Sequence, residues 1–150
     1  VMAADRLLET AKAQADAQVS ERNAREKAEL MRQLGMDEGE SATKASRTMI
    51  RQLEEDQKRR SKRALTDAID RALIDLLAIY RDVLMVQVGG DGELINTDLS
   101  DLVHQIAQDS TPRQTLARVD HIETARKRLV SNGNPLLVLE DMAISLRPQA

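Results

Sequence analysis

No glycine or proline interrupts the chain between Ser41 and Gln87. A single helix over that run would extend roughly 70 Å at about 1.5 Å per residue, whereas a compact domain of about 100 residues has a radius of gyration of only about 13 Å. Such a helix must project beyond its own core, and a second helix folded back along it is the simplest cover. Residues 2 to 34 supply one: they hold eight alanines with many Glu, Arg, Lys and Gln, and neither Gly nor Pro, which is helix-forming composition throughout. Leu7, Leu8, Ala11, Ala15 and Val19 make a thin apolar stripe that Leu30, Met31 and Leu34 close. "GMDEGES" at 35 to 41 separates the two helices and offers Ser41 as an N-cap. The expected arrangement is a long helical hairpin or arm, with a bend near Ser61 as the alternative to one continuous helix.

The long run changes character along its length. Up to Arg63 its apolar residues are sparse (Met49, Ile50, Leu53), but from Leu65 onward Leu65, Ile69, Ala72, Leu73, Leu76, Tyr80, Val83 and Leu84 recur on one face. Ile74, Leu77, Ile79 and Val86 widen that face until little polar surface is left, which predicts burial on most sides. "GGDGELINTD" at 89 to 98 reads as a flexible connection, with Asn96 or Thr97 capping a short helix whose Leu99, Leu102, Val103 and Ile106 face inward. "STP" at 110 to 112 places a hydroxyl cap before a proline at the first helical position, where a missing N–H costs nothing. The helix it opens carries Leu116, Val119, Ile122, Ala125, Leu129 and Val130 and ends at Gly133; "NP" at 134 and 135 repeats the device for the last helix. With no Phe, Trp or Cys, a single Tyr and nineteen leucines, the core must be aliphatic. The fold class is all-α, a helical bundle.

The same composition narrows function. Absence of cysteine removes disulfides and thiolate metal sites, and no apolar run approaches the roughly 20 residues of a membrane span; the expected location is the cytoplasm, with no membrane partner. The chain opens in helical pattern with neither an initiator methionine nor a secretory signal, so residues preceding Val1 are expected. Residues 1 to 64 carry 14 Lys/Arg against 12 Asp/Glu and residues 65 to 150 carry 8 against 13, so neither half has the basic balance usual in a nucleic-acid binder.

Lys58, Arg59, Arg60, Lys62 and Arg63 form the densest cationic run. At about 100° per residue they fan over about 200° of helix surface rather than forming a stripe, and no aromatic platform for bases lies nearby. Glu54 and Glu55 stand four residues before Lys58 and Arg59, the favourable orientation for intrahelical pairs. A solvated helix face is the preferred reading and nucleic-acid contact the competing one. His104 and His121, with Asp101 and Asp120, lie on different predicted helices without close ligand spacing, which argues against a metal site. No phosphate-binding loop and no Gly-x-Ser-x-Gly elbow occurs. No catalytic, cofactor-binding or metal-binding residue is expected.

The second half carries three specific pieces in order: "LLAIYRDVL", the "STP" helix start followed by "IETARKRL", and the terminal "NGNPLLVLEDMAISL". Over about residues 60 to 147 the chain resembles the C-terminal domains of delta-prime subunits of the bacterial DNA polymerase III clamp loader. Residues 1 to 59 look like the charged, Ala-rich helical segment that some members carry before that domain. The resemblance implies a collar: related helical domains, one per subunit, that hold the loader pentamer together for sliding-clamp loading in DNA replication while ATPase modules elsewhere, within an ATP-driven loader of the polymerase holoenzyme, open and close. It implies no enzyme activity and no cofactor in this chain, partners among the gamma/tau and delta subunits, contact with clamp and DNA only through the full complex, and no small-molecule substrate. Pattern alone nominates Leu136, Leu139, Met142, Ala143 and Leu146 on the last helix as subunit-interface residues, because they exceed what one buried face needs. The domain division expected is an arm at 1–59 and a collar domain at 60–150. The alternatives are a helical-hairpin oligomerisation module unrelated to replication and a weak nucleic-acid-binding helix at residues 58 to 63.

Overall fold

The computed structural model describes residues 2–35 and 43–147. Five α-helices follow in order: α1 (Met2–Gln33), α2 (Lys44–Gln87), α3 (Ser100–Gln108), α4 (Pro112–Val130) and α5 (Pro135–Ser145), with one turn of 3-10 helix at Thr97–Leu99 leading into α3. No described residue lies in a strand, so the chain is all-α as its sequence indicates. The N-cap expected at Ser41 lies outside the described residues. Thr43 serves α2 instead, its Oγ1 accepting from the backbone N–H of Ser46 at 3.1 Å. By internal contacts the chain forms two units, Thr10–Ala68, and Val1–Glu9 together with Ile69–Ala150. By these contacts the first turns of α1, whose Ala4 and Leu8 are buried, belong with the later helices.

Unit Thr10–Ala68 is an antiparallel hairpin. Ala15 and Val19 of α1 pack with Ala64 and Leu65 of α2, and small side chains at a helix contact allow close approach of the axes. Continuing down α1 at the same spacing, the stripe positions become polar: they are Asn23 and Glu26, before Leu30. Arg60 reaches back to fill them, donating from Nη1 to Asn23 Oδ1 at 2.7 Å and to Glu26 Oε2 at 2.8 Å. Gln57 donates to the Asn23 carbonyl at 2.8 Å, and Lys27 pairs with Glu54 at 3.0 Å. A thin alanine seam is therefore extended by a polar one.

In the other unit the α2 stripe supplies the core: Ile69, Leu73 and Val83 are fully buried, as are Val103 of α3, Ile122 of α4 and Leu139 of α5. Burying such a side chain contributes roughly 1.5 to 3 kcal/mol before entropy is subtracted. Three polar residues of α2 then fasten the elements around it. Asp70 takes a forked pair of bonds from Arg126 of α4, at 2.7 Å from Nε and 3.2 Å from Nη2. Gln87 donates to the Ser110 carbonyl at 2.8 Å, just beyond the end of α3. Asp82, without any exposed surface, accepts from the backbone N–H groups of Ile95 (3.1 Å) and Asn96 (2.8 Å), from the Asn96 side chain (2.9 Å) and from Arg81 (2.8 Å).

That convergence corrects the picture of 89 to 98 as a flexible connection. Its first residues end α2: Gly89 takes a positive φ of 68°, and Gly89 and Gly90 donate to the carbonyls of Val86 and Met85, the closing pattern of a left-handed helix terminus. Its later residues are tied to Asp82. Asn96 stands at the expected cap position, but its side chain serves Asp82 and makes no cap bond. Helix α4 ends by the same device, with Asn132, at φ 63°, in the left-handed position one residue before Gly133. Gly133 is needed for space, because a Cβ there would lie 2.7 Å from the Arg128 carbonyl oxygen and 2.9 Å from Val138 Cγ2.

Burial alone would raise the Asp82 pKa, but the hydrogen bonds from Asn96, Ile95 and Arg81 outweigh it and hold the carboxyl at about 2, below its usual 3.8. A carboxylate depressed on folding stabilises the native state fully above its ordinary pKa, and that contribution is lost as pH falls toward about 2. Asp82→Asn keeps the shape but turns an N–H toward converging donors, and is expected to cost about 1–3 kcal/mol in denaturant unfolding at neutral pH. Between about pH 4 and pH 2 the variant should lose less stability than the parent chain. Equal acid sensitivity of the two proteins would contradict the assignment.

Candidate subunit interface

Helices α4 and α5 pack against each other. Both start as the sequence requires. Thr111 caps α4 in a reciprocal box with Gln114, and Asn134 caps α5 by accepting from the Leu137 N–H, each followed by proline. These caps fix which residues face inward. In α4 the buried series is Thr115, Arg118, Ile122, Ala125 and Leu129, spaced three and four apart. The expected inward residues Leu116 and Val130 sit outside that phase and are exposed, and so is Leu102 of α3. A threonine and an arginine at core-facing positions hid the true face of α4 from a reading of apolar spacing.

The five residues nominated on α5 divide. Leu139 and Met142 are buried in the unit's own core, so they are not surface available to a neighbour; Leu136, Ala143 and Leu146 are half-buried at its edge. The helix instead exposes Leu137 (63%) and Ile144 (56%), seven residues apart and so on one outer stripe. Eight of the eleven residues of "LLVLEDMAISL" are apolar, which leaves inner and outer faces hard to separate by pattern. Two small pockets between α4 and α5 share His121 and Ser145; one is lined by Gln114, Ala117, Arg118 and Arg147, the other by Thr124, Ala125, Arg128, Val138, Asp141 and Met142. Arg128 and Asp141 form an ion pair across the second.

The basic run at 58 to 63 lies in the hairpin unit. Arg60 is half-buried against Glu26 and Asn23, and Arg59 pairs with Asp56 at 3.0 Å. Lys58, Lys62 and Arg63 are exposed. The intrahelical pairs expected from Glu54 and Glu55 form with other partners, Lys27 for Glu54 and Arg51 for Glu55 at 3.7 Å. The hairpin also carries an open groove of about 600 Å³ with Leu30, Met49 and Leu53 in it and Glu26, Glu29 and Asp56 among its walls. His104 and His121 are both exposed, and His104 Nδ1 lies 2.7 Å from the Ser100 carbonyl oxygen. Among the described residues no group of three or more His, Asp or Glu could hold a metal ion, and no helix is long and apolar enough to cross a membrane.

Helices folded on an aliphatic core, with aliphatic side chains left on an outer face, define a helical packing module. The family described as "DNA polymerase III, delta subunit, C terminal" matches residues 42–147, and the chain belongs to it. The chain is also 38% identical over 72 residues to DNA polymerase III subunit delta' of Bacillus subtilis (strain 168); the match takes in 48% of this chain and 22% of that protein. No solved structure matches.

In the hairpin, hydrogen bonds from Arg60 first and Arg22 second hold Glu26 at about 2, well below its usual 4.5. Its stabilising contribution is therefore complete above pH 4.5 and is lost as pH falls toward about 2. Arg60→Met should move the Glu26 carboxyl titration, followed by NMR, upward toward the ordinary value. An unmoved titration would show that the seam does not form.

Proposed function

We propose that this chain is a non-catalytic collar domain of a clamp-loader delta-prime subunit, holding that subunit to its neighbours during sliding-clamp loading in DNA replication. The observation that supports the reading most strongly is the outer stripe of α5. Leu137 and Ile144 stand exposed beside half-buried Leu136, Ala143 and Leu146, on a helix whose inner face is already satisfied. A domain that spends aliphatic surface outside its own core offers it to another protein. The partners in this reading are gamma/tau- and delta-type subunits, met in the cytoplasm; clamp and DNA are reached only through the assembled loader. No cofactor, ATP site or small-molecule substrate is assigned to these residues.

The test is association of the full-length protein with its cognate loader subunits, followed by sedimentation. Leu137→Asp with Ile144→Asp alters two exposed positions, so the Tm should change little while subunit affinity falls about tenfold or more, as expected for loss of apolar anchors at an interface centre. Failure of the parent protein to bind any cognate subunit would overturn the reading. The groove at Leu30, Met49 and Leu53 favours one competitor, self-association through the hairpin. Under that reading Met49→Glu with Leu53→Glu abolishes a dimer of the protein alone, whereas the collar reading expects the same sedimentation from both.

A further inference from the structure

Arg118 is the unusual residue of the unit. It occupies a core-facing position of α4 and is only 9% exposed, yet no carboxylate or other acceptor among the described residues bonds to it. Every other arginine whose side chain is drawn inward has an anionic partner: Arg60 has Glu26, and Arg126 has Asp70 and Glu123. A guanidinium cannot discharge in a protein, and leaving one largely desolvated without a counter-charge is costly. Its nitrogens are not sealed, however. The sealed side-chain polar atom that lacks a partner among the described residues is Gln87 Oε1, so the Arg118 nitrogens keep contact with the space beside them.

That space is the pocket between α4 and α5, with a volume of about 50 Å³ and walls from Gln114, Ala117, His121, Ser145 and Arg147 besides Arg118 itself. Among the described residues its walls hold two guanidinium groups and an imidazole and no acid. The nearest acid in the adjoining pocket, Asp141, is already engaged by Arg128. The charge of Arg118 is felt from below as well: burial raises the pKa of the Tyr80 hydroxyl, and Arg118 pulls it back. Among the described residues the site is thus a preformed cationic recess without an anion. Its volume admits a group of a few atoms, such as one carboxylate, and excludes a nucleotide.

We propose that the Arg118 pocket, completed by Arg147, receives the carboxylate of an Asp or Glu side chain from an adjoining protein subunit. The planar fork of an arginine matches a carboxylate with two parallel bonds, so the acid would fix register where the Leu137 and Ile144 stripe supplies area. This inference rests on the collar reading, and it names the chemistry of the partner's contact.

Acetate is the probe for the pocket, titrated into the full-length protein with the arginine side-chain N–H signals followed by NMR. The Arg118 signal should shift saturably, Arg118→Met should abolish the response, and Arg147→Ala should weaken it. In the assembly, Arg118→Met should lower affinity for one cognate subunit about tenfold or more, the usual scale for losing half of a desolvated charge pair. Acetate without effect on the Arg118 signal overturns the proposal. So does undiminished subunit binding by Arg118→Met, an outcome that leaves the collar reading standing. If acetate saturates Arg118 but the parent protein binds no cognate subunit, the collar reading falls and the partner carboxylate is overturned with it, leaving a small-anion site only. Should Arg118→Met fail to fold, Arg147→Ala, a change at an exposed side chain, decides the same question in both measurements.

Discussion

The structure of residues 69 to 147 depends on one face of one helix. Ile69, Leu73 and Val83 of α2 are withdrawn completely from solvent, and the fully buried aliphatic side chains Val103 of α3, Ile122 of α4 and Leu139 of α5 find no other core. No aromatic side chain except Tyr80 is available to thicken the packing. Short helices such as α3 and α5, with nine and eleven residues, are marginal in isolation. Their existence therefore follows from docking.

Apolar burial is non-directional, so it sets that the helices pack but not in which register. Direction comes from three polar residues on α2. Asp70 engages Arg126 of α4, Asp82 gathers the backbone of Ile95 and Asn96, and Gln87 reaches the Ser110 carbonyl. Each fastens a different following element. The result leaves Leu137 and Ile144 on the outer side of α5, where the proposed interface lies.

Much of this was legible in the sequence, for identifiable reasons. Cap-plus-proline signals at Thr111 and Asn134 mark helix starts by local geometry, and both caps form. The apolar stripe of α1 read from the sequence likewise keeps Leu8, Ala11, Ala15 and Val19 buried, with Ala4 added and Leu7 at its edge. What misleads is apolarity taken as burial: Leu116 and Val130 are exposed while Thr115 and Arg118 are inside. Asp82 was overlooked for the converse reason, since a single acid in "LLAIYRDVL" looks like the helix's wet side. Its signal was an acid set inside an oily run and followed by an Asn-containing connection with backbone N–H groups to satisfy. The outer stripe of α5 could not be separated from its inner one, because leucines, Met, Ile and Ala surround that helix almost completely.

Helix α2 from Ile69 to Val83 is the framework on which the other helices of its unit are held. Native-state hydrogen exchange measures this directly. The amides of that stretch should be the slowest to exchange in the unit and should open only with global unfolding, together with those around Ile122 and Leu129. Exchange in this stretch that is faster than in α3 or α5, or that proceeds while those helices remain protected, would contradict the account.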